Sequence, residues 1–431
     1  MKRVALFAAH FPPSNLAGVH RARLWAQHLH EFGWQPIILT THWRFYEEAL
    51  DWRLCKLLDP ELVVIRTRAL ATKPVRLVGD LGIRGFPWHF LELRRLFREA
   101  CIDFLHITVP SFYSAMLGYA LYREEPIPFG IDYIDPWVHR WPDAERVPSK
   151  AWASMKLGCA LEPKAIRNVS LITGVAEGYY AGVLERNPSL RARIVTAAMP
   201  YGNSSRDYEL IPAESQKTYL FNPEDRCFHL VYAGAMLPKA YEVLDRLLLA
   251  LVHMRTAHPE VFSRLRLHFV GTGKSHIDAT GYTIIPRARE FGLEGSITEH
   301  PQRVPYTDVL FHLTKASAIL ILGSTEPHYS PSKVYQSVQA KRPIFALLHK
   351  DSAACRVIEE SQAGVVVPIE DGLLCAPILS ERLASFVVNS GYQAERVVWS
   401  EFAAYSSRES ARKLADALDG ALDQFNVRRR Y

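Results

Sequence analysis

Short runs of apolar residues recur along the chain at a regular beat, and the segments between them carry apolar residues every three or four positions. The runs at 4–9, 37–39, 62–65, 104–107, 129–134, 171–173 and 194–197 are continuous rather than alternating, the pattern of strands covered on both faces. Over 19–32 Leu24, Trp25, His28 and Leu29 follow helical spacing, and Gly33 ends it. The beat breaks near 200–225, where Gly202, Asn203, Ser204, Ser205, Pro212 and Pro223 supply turn and linker chemistry. It restarts with apolar runs at 228–233, 265–270, 296–298, 318–322, 344–348 and 364–367, and with helical spacing at 241–258 and 284–291. A last helix is predicted over 406–422, with Ala411, Leu414, Ala415 and Leu418 on one face. The alternation predicts an α/β protein of two Rossmann-like parallel-sheet domains, 1–199 and 228–400. A linker at 200–227 joins them, and a C-terminal helical segment, 401–431, follows. Open parallel sheets bind ligands beyond the carboxyl ends of their strands, so two such domains facing each other would form a cleft.

Composition narrows the class. A chain of 431 residues can bury two cores, and 48% hydrophobic with 22% charged residues is ordinary for a soluble protein. A net charge of +6 suits anionic small ligands or an anionic membrane surface and is too small to argue for nucleic acid. No basic arm is interleaved with aromatics in the manner of single-strand binders. Cys55, Cys101, Cys159, Cys227, Cys355 and Cys375 lie far apart with no Cys-x-x-Cys pair, which points to a reduced, cytoplasmic setting rather than to disulfides or zinc. Met1-Lys2-Arg3 before an apolar run imitates a leader, but the run is short and His10 and Pro12-Pro13 interrupt it. No stretch approaches the roughly 18 apolar residues of a spanning helix.

The most informative chemistry is Ser330-Pro331-Ser332-Lys333-Val334-Tyr335-Gln336, set between two apolar runs and followed by Pro343. A strand, a polar loop and a helix with lysine in its first turn favour phosphate through the helix N–H groups and the ammonium charge. The plain alternative is that Pro331-Ser332 starts a helix and Lys333 is solvated. Gln336, three residues on, shares a helix face with Lys333. Gly18 before a helix leaves room for a ligand, and Arg21 one turn later suits a phosphate; equally, Gly18 only relieves a turn and Arg21 is exposed. Gly271-Thr272-Gly273-Lys274 after a strand is a phosphate-loop candidate without Walker spacing, and a plain tight turn reads equally well. No G-x-G-x-x-G occurs, which argues against a dinucleotide cofactor. His106 and Asp135, at the ends of predicted strands, are the candidates for chemistry, against a packed histidine and an Asp-Pro turn. Residues 84–98, with Phe86, Trp88, Phe90, Arg94, Arg95 and Arg98 and with Lys73 and Arg76 nearby, read either as a peripheral contact with anionic lipid or as a core-facing helix with a solvated basic face.

Taken in order, these segments resemble the GT-B glycosyltransferases, and within them the retaining family-4 type of bacterial polysaccharide assembly. The likeness rests on His10-Phe11-Pro12-Pro13 with Gly18 and Arg21, Gly33-Trp34-Gln35-Pro36, Asp132-Tyr133-Ile134-Asp135-Pro136-Trp137, and Met199-Pro200-Tyr201-Gly202. It continues through Tyr232-Ala233-Gly234, Val270-Gly271-Thr272-Gly273, and Pro331-Ser332-Lys333 to Pro343, and it includes the final helix, which in this class crosses back to the first domain. The resemblance implies that Lys333, Ser332, Gly234 and Lys239 meet a donor pyrophosphate and that Gln336 meets the ribose. The chain departs from the family at four places. Gln336 stands where glutamate is usual, and His328 stands seven before it with Glu326 two residues away. Ala235 replaces an expected arginine, and Thr108 replaces an expected histidine.

The expected function is therefore transfer of a sugar from a nucleoside-diphosphate sugar to a glycan, lipid-linked or small acceptor, with retention implied by the resemblance. No Asp-x-Asp motif calls for a bridging metal, no cofactor is implied, and the contact at 84–98 would lie at the inner membrane face. The alternatives are a sugar-nucleotide epimerase or hydrolase on the same fold and a non-catalytic binding or partner subunit, for which the missing glutamates and Ala235 speak.

Overall fold

The computed structural model describes all residues except 74–78, 139–148, 212–219, 237, 274–280, 326–330, 370–374, 390–391 and 431. The chain forms two compact units. The first comprises 1–50, 58–201 and 407–431, and the second comprises 51–57 and 202–406.

In the first unit β1 (Lys2–Ala8), β2 (Trp34–Thr41), β3 (Val63–Thr67), β4 (Phe104–Val109), β5 (Phe129–Tyr133), β6 (Leu171–Gly174) and β7 (Val195–Ala198) form one parallel sheet. Their order is β3-β2-β1-β4-β5-β6-β7, with Leu6 paired to Ile38 on one side and His106 on the other. The apolar runs are continuous because the central strands β1, β4 and β5 are buried along almost their whole length. The helix Ser407–Arg430 closes one face, burying Ala411, Leu414, Ala415, Leu418 and Ala421 against Trp25, Trp34 and Met199. Each buried leucine there contributes about 1.5–3 kcal/mol. The Trp25 indole donates to Ser410 Oγ at 2.9 Å and the Trp34 indole to Asp419 Oδ1 at 2.7 Å, so both buried N–H groups are satisfied. The helix continues well past 422 as a polar extension, for which the apolar pattern gives no signal.

The segment expected as one helix over 19–32 is instead an α-helix, Val19–Ala26, and a 3-10 turn, Leu29–Phe32. The break falls at His28, whose backbone leaves the helical region (φ −129°) and whose ring bonds both Glu31 and Ser407. Gly33 ends the turn at φ 83°, a left-handed position that suits glycine.

In the second unit β8 (Phe228–Ala233), β9 (Leu265–Val270), β10 (Ile297–His300), β11 (Ala318–Leu322), β12 (Ile344–His349) and β13 (Gly364–Ile369) form a parallel sheet ordered β10-β9-β8-β11-β12-β13. Its core joins Leu230, Leu267, Leu320 and Phe345 with the helix Ala240–Ala257. The segment read as linker belongs to this unit from Gly202 onward, with a short helix at Ser205–Glu209. Asp207 there is buried and accepts from the Tyr306 hydroxyl at 3.1 Å.

Candidate functional site

The second sheet changes direction between β8 and β11, the position at which open α/β sheets take ligands. Gly234 ends β8 at φ 112° and Gly271 ends β9 at φ 73°, turns that glycine makes at little cost. Their N–H groups still extend the ladder, to Val270 O at 2.8 Å and to His300 O at 2.7 Å. After β11 the chain enters the helix Lys333–Gln339, with half-buried Ser332 preceding it. From that first turn Lys333 reaches back across the switch point. Its Nζ lies 3.7 Å from the centroid of the Tyr232 ring. A Cβ added to Gly234 would meet the same nitrogen at 3.3 Å, so glycine keeps the space beside it open.

The Lys333 nitrogen is buried and has no hydrogen-bond partner among the described residues. Burial, and then the charge of Arg303, push its pKa down to about 7. A buried, unpartnered ammonium is costly, and an anion brought to it would relieve that cost. Gln336 is half-buried on the same helix, and its backbone carbonyl accepts from Tyr208 Oη at 2.5 Å. Lys239 is half-buried at the start of the helix Ala240–Ala257. Glu326 and His328 lie outside the described residues, as does Lys274.

A carboxylate that motif reading did not single out engages the loop after β9. Buried Glu299, on β10, accepts from Thr272 Oγ1 at 2.7 Å and from the backbone N–H groups of Thr283, Ile284 and Ile285. It caps the helix Ile284–Glu290 from another strand, satisfying amides that would otherwise be orphaned.

In the first unit the structure places Arg21 in the interior rather than at an open phosphate-facing surface. It is fully buried and grips Asp132 through two hydrogen bonds of 3.0 and 2.8 Å. Its Nη1 donates to Met199 O and Pro200 O, and the guanidinium lies 4.1 Å from the Trp25 ring. Burial alone would raise the Asp132 pKa, but Arg21 holds it below its ordinary value. Thr173 Oγ1 donates to Asp132 Oδ1 at 2.7 Å and lies 3.1 Å from His106 Nε2. His106 is wholly buried, and burial pushes its pKa down to about 4, so it is neutral at pH 7. The packed-histidine reading of His106 thus describes its surroundings, while Asp135, which follows β5, is exposed. Gly18 has ordinary helical angles, and an added Cβ would touch only Ile134 at 3.9 Å, so the backbone itself does not require glycine there.

The first sheet has its own switch point, between β1 and β4. Just beyond β1, the His10 ring bonds Glu48 Oε1 through Nδ1 at 2.6 Å, and Ser14 Oγ donates to the same oxygen. Neither partner is apparent from its local sequence, because 38 residues separate them. The stretch 84–98 lies within the helix Leu81–Arg98. Phe86, Phe90, Met116, Tyr119, Ala120, Arg123 and Glu124 line a groove of about 450 Å³ beside it. Arg94 and Arg98 face Glu124, and Arg95 pairs with Glu92 and Glu99, so much of the basic face is compensated within the chain. No helix among the described residues is long and apolar enough to cross a membrane, and none of their acidic, histidine and cysteine side chains cluster as a metal site.

Two parallel-sheet units in this strand order define the GT-B class of fold. Solved structures of that class superimpose over nearly the full chain. A sucrose-phosphate synthase from Thermosynechococcus elongatus matches at 13% identity, covering 100% of this chain and 99% of its own, with a TM-score of 0.57. HepE from Anabaena, solved with UDP and glucose, matches at 12% identity over 97% and 100%, with a TM-score of 0.62. WaaG, a glycosyltransferase involved in lipopolysaccharide biosynthesis, matches at 11% identity over 97% and 98%, with a TM-score of 0.55. No protein-family model matches the chain, and no curated protein matches it significantly in sequence.

Proposed function

We propose that the protein is a glycosyltransferase that moves a sugar from a nucleoside-diphosphate donor to a glycan or lipid-linked acceptor. The observation that carries this reading is the buried Lys333 nitrogen, which has no hydrogen-bond partner among the described residues, at the switch point of the second sheet. It would meet the donor diphosphate, with Ser332, Gly234 and Gly271 leaving backbone room around it and Lys239 adding charge. Gln336 would serve the ribose, since its amide both donates and accepts. Glu326 and His328 remain candidates for the donor sugar, and Asp135 for the acceptor. The groove beside 84–98 would seat a lipid-linked acceptor at an anionic membrane face. Family resemblance implies retention of configuration, and a base facing the acceptor would give inversion instead.

HepE was also solved with UDP-glucose, which makes UDP the first probe. At a hundredfold excess over its dissociation constant, a bound nucleotide adds about 2.7 kcal/mol to stability. Thermal shifts with UDP, GDP, ADP, CMP and dTDP are expected to single out one base, and Lys333→Ala should abolish that shift. No shift with any of them would remove the donor reading. A proposed UDP-N-acetylglucosamine 2-epimerase from Listeria monocytogenes shares the fold with a TM-score of 0.50, which gives the epimerase reading a specific footing. The product separates the two, because an epimerase turns over the sugar nucleotide with no acceptor present. Nucleotide binding without any turnover would favour the non-catalytic subunit, to which Gln336 and Ala235 already point.

A further inference from the structure

We propose that a cluster of exposed basic side chains at the amino end of β7 docks the protein onto an anionic lipid surface. The inference does not depend on the transferase reading. Arg191 and Arg193 stand just before β7. Lys164 lies in the last turn of the helix Lys150–Ala165, with Arg167 just past it, and Arg428 and Arg429 lie in the last turn of the helix Ser407–Arg430. Folding joins these three segments. Arg428 Nη2 donates to Arg193 O, Arg193 Nη2 donates to Arg167 O at 3.1 Å, and the Arg167 N–H donates to Lys164 O at 3.3 Å. All six side chains are exposed.

Local structure accounts for only a small part of this charge. A helix carboxyl end carries about half a negative charge, so the two helix ends here offset roughly one of the six cations. None of the six forms an ion pair among the described residues. The side-chain hydrogen bonds that Arg193 and Arg428 do make go to neutral oxygens, two backbone carbonyls and the Gln424 amide. The helix Leu81–Arg98 is the opposite case, because its arginines pair with Glu92, Glu99 and Glu124. The attraction of an anionic bilayer for this unit therefore falls on the cluster before β7.

Two further observations favour lipid over nucleic acid. The net charge of the chain is only +6, and apolar side chains stand beside the arginines. Val427 is 55% exposed and Phe425 is half-buried, a mixture of apolar and basic groups that suits the lipid interface. The cluster lies at the amino end of β7, so a bilayer held there leaves uncovered the carboxyl ends of the first sheet, where parallel sheets take ligands.

The test is co-sedimentation of the full chain with vesicles of phosphatidylglycerol and phosphatidylcholine in equal parts, against vesicles of phosphatidylcholine alone. The native protein should bind the anionic vesicles and leave them as salt is raised. Each basic side chain near such a surface is worth about fivefold in partition, so Arg167→Gln with Arg193→Gln and Arg428→Gln should lose about 10²-fold. The same three positions changed to lysine should bind as the native protein does, since charge rather than fork geometry carries the contact. Arg191→Gln with Arg429→Gln touches no side-chain hydrogen bond, so it should keep its melting temperature and lose about 25-fold. Arg94→Gln with Arg95→Gln and Arg98→Gln should leave partition unchanged. Equal binding to both vesicles, native partition in the glutamine variants, or loss confined to the Arg94, Arg95 and Arg98 variant would overturn the proposal. Binding of duplex DNA without vesicle binding would overturn it too and assign the cluster to nucleic acid.

Discussion

Lys333 ties the donor reading to a pH dependence that can be worked out beforehand. Its folded pKa is about 7, because burial and then Arg303 disfavour its charge. A diphosphate beside the nitrogen restores the charged form, so nucleotide binding must take up a proton wherever free Lys333 is neutral. With a free pKa near 7 and a bound value well above 9, uptake at pH 8 is about 0.9 proton, and affinity falls roughly 25-fold between pH 7.5 and 9. The phosphates are fully ionised across that window, so the slope belongs to the protein. Calorimetry of UDP binding in buffers of different ionisation enthalpy reads the uptake directly, and Lys333→Met should lose both the uptake and most of the affinity. The sign for stability runs with the depressed lysine: the unfolded chain binds the extra proton between about pH 7 and 10.5, so this group makes the apo protein more stable as pH rises through that range. Lys333→Met should accordingly raise apo stability near pH 7 while destroying binding. Affinity independent of pH in the native protein, or unchanged in Lys333→Met, would refute the assignment.

Removing the charge of Asp132 strands Arg21 in the core, so Asp132→Asn should cost about 3–5 kcal/mol in urea unfolding, whereas Arg21→Met with Asp132→Leu should cost much less. His106, His89 and His268 have folded pKa values pushed down by burial to about 4, 3 and 3. The unfolded chain therefore binds more protons below about pH 6.5, and stability should fall as pH drops toward 4; His106→Gln should flatten that slope in acid-titrated urea melts. Glu299→Ala leaves three helix amides and Thr272 without their acceptor, and should destabilise the second unit by about 2–4 kcal/mol in thermal melts.

What the sequence makes legible follows from how local each cause is. The thirteen strands among the described residues are visible because a strand buried in a parallel sheet writes itself as an apolar run, and the final helix shows because its buried face repeats every three to four residues. Lys333 is legible because loop, helix start and charge are adjacent in the chain. Arg21 shows the opposite case. Its partner Asp132 lies 111 residues away, so an arginine one turn into a helix reads as a phosphate ligand until the fold brings the carboxylate to it. Asp132 itself lies inside a segment that carries the family likeness, yet Asp135 reads as the candidate there because it stands at the end of the predicted strand. Glu299 and Glu48 act through other elements altogether, on a neighbouring helix start and on a loop histidine.

The contrast between the two kinds of buried charge carries the functional weight. Arg21 and Asp132 satisfy each other within the first unit, so their burial is explained by the fold alone. The Lys333 nitrogen in the second unit has no such compensation among the described residues, although exchange for an apolar side chain of similar length would remove the cost. On the proposed donor reading, an anion at the switch point would supply the missing hydrogen-bond acceptor.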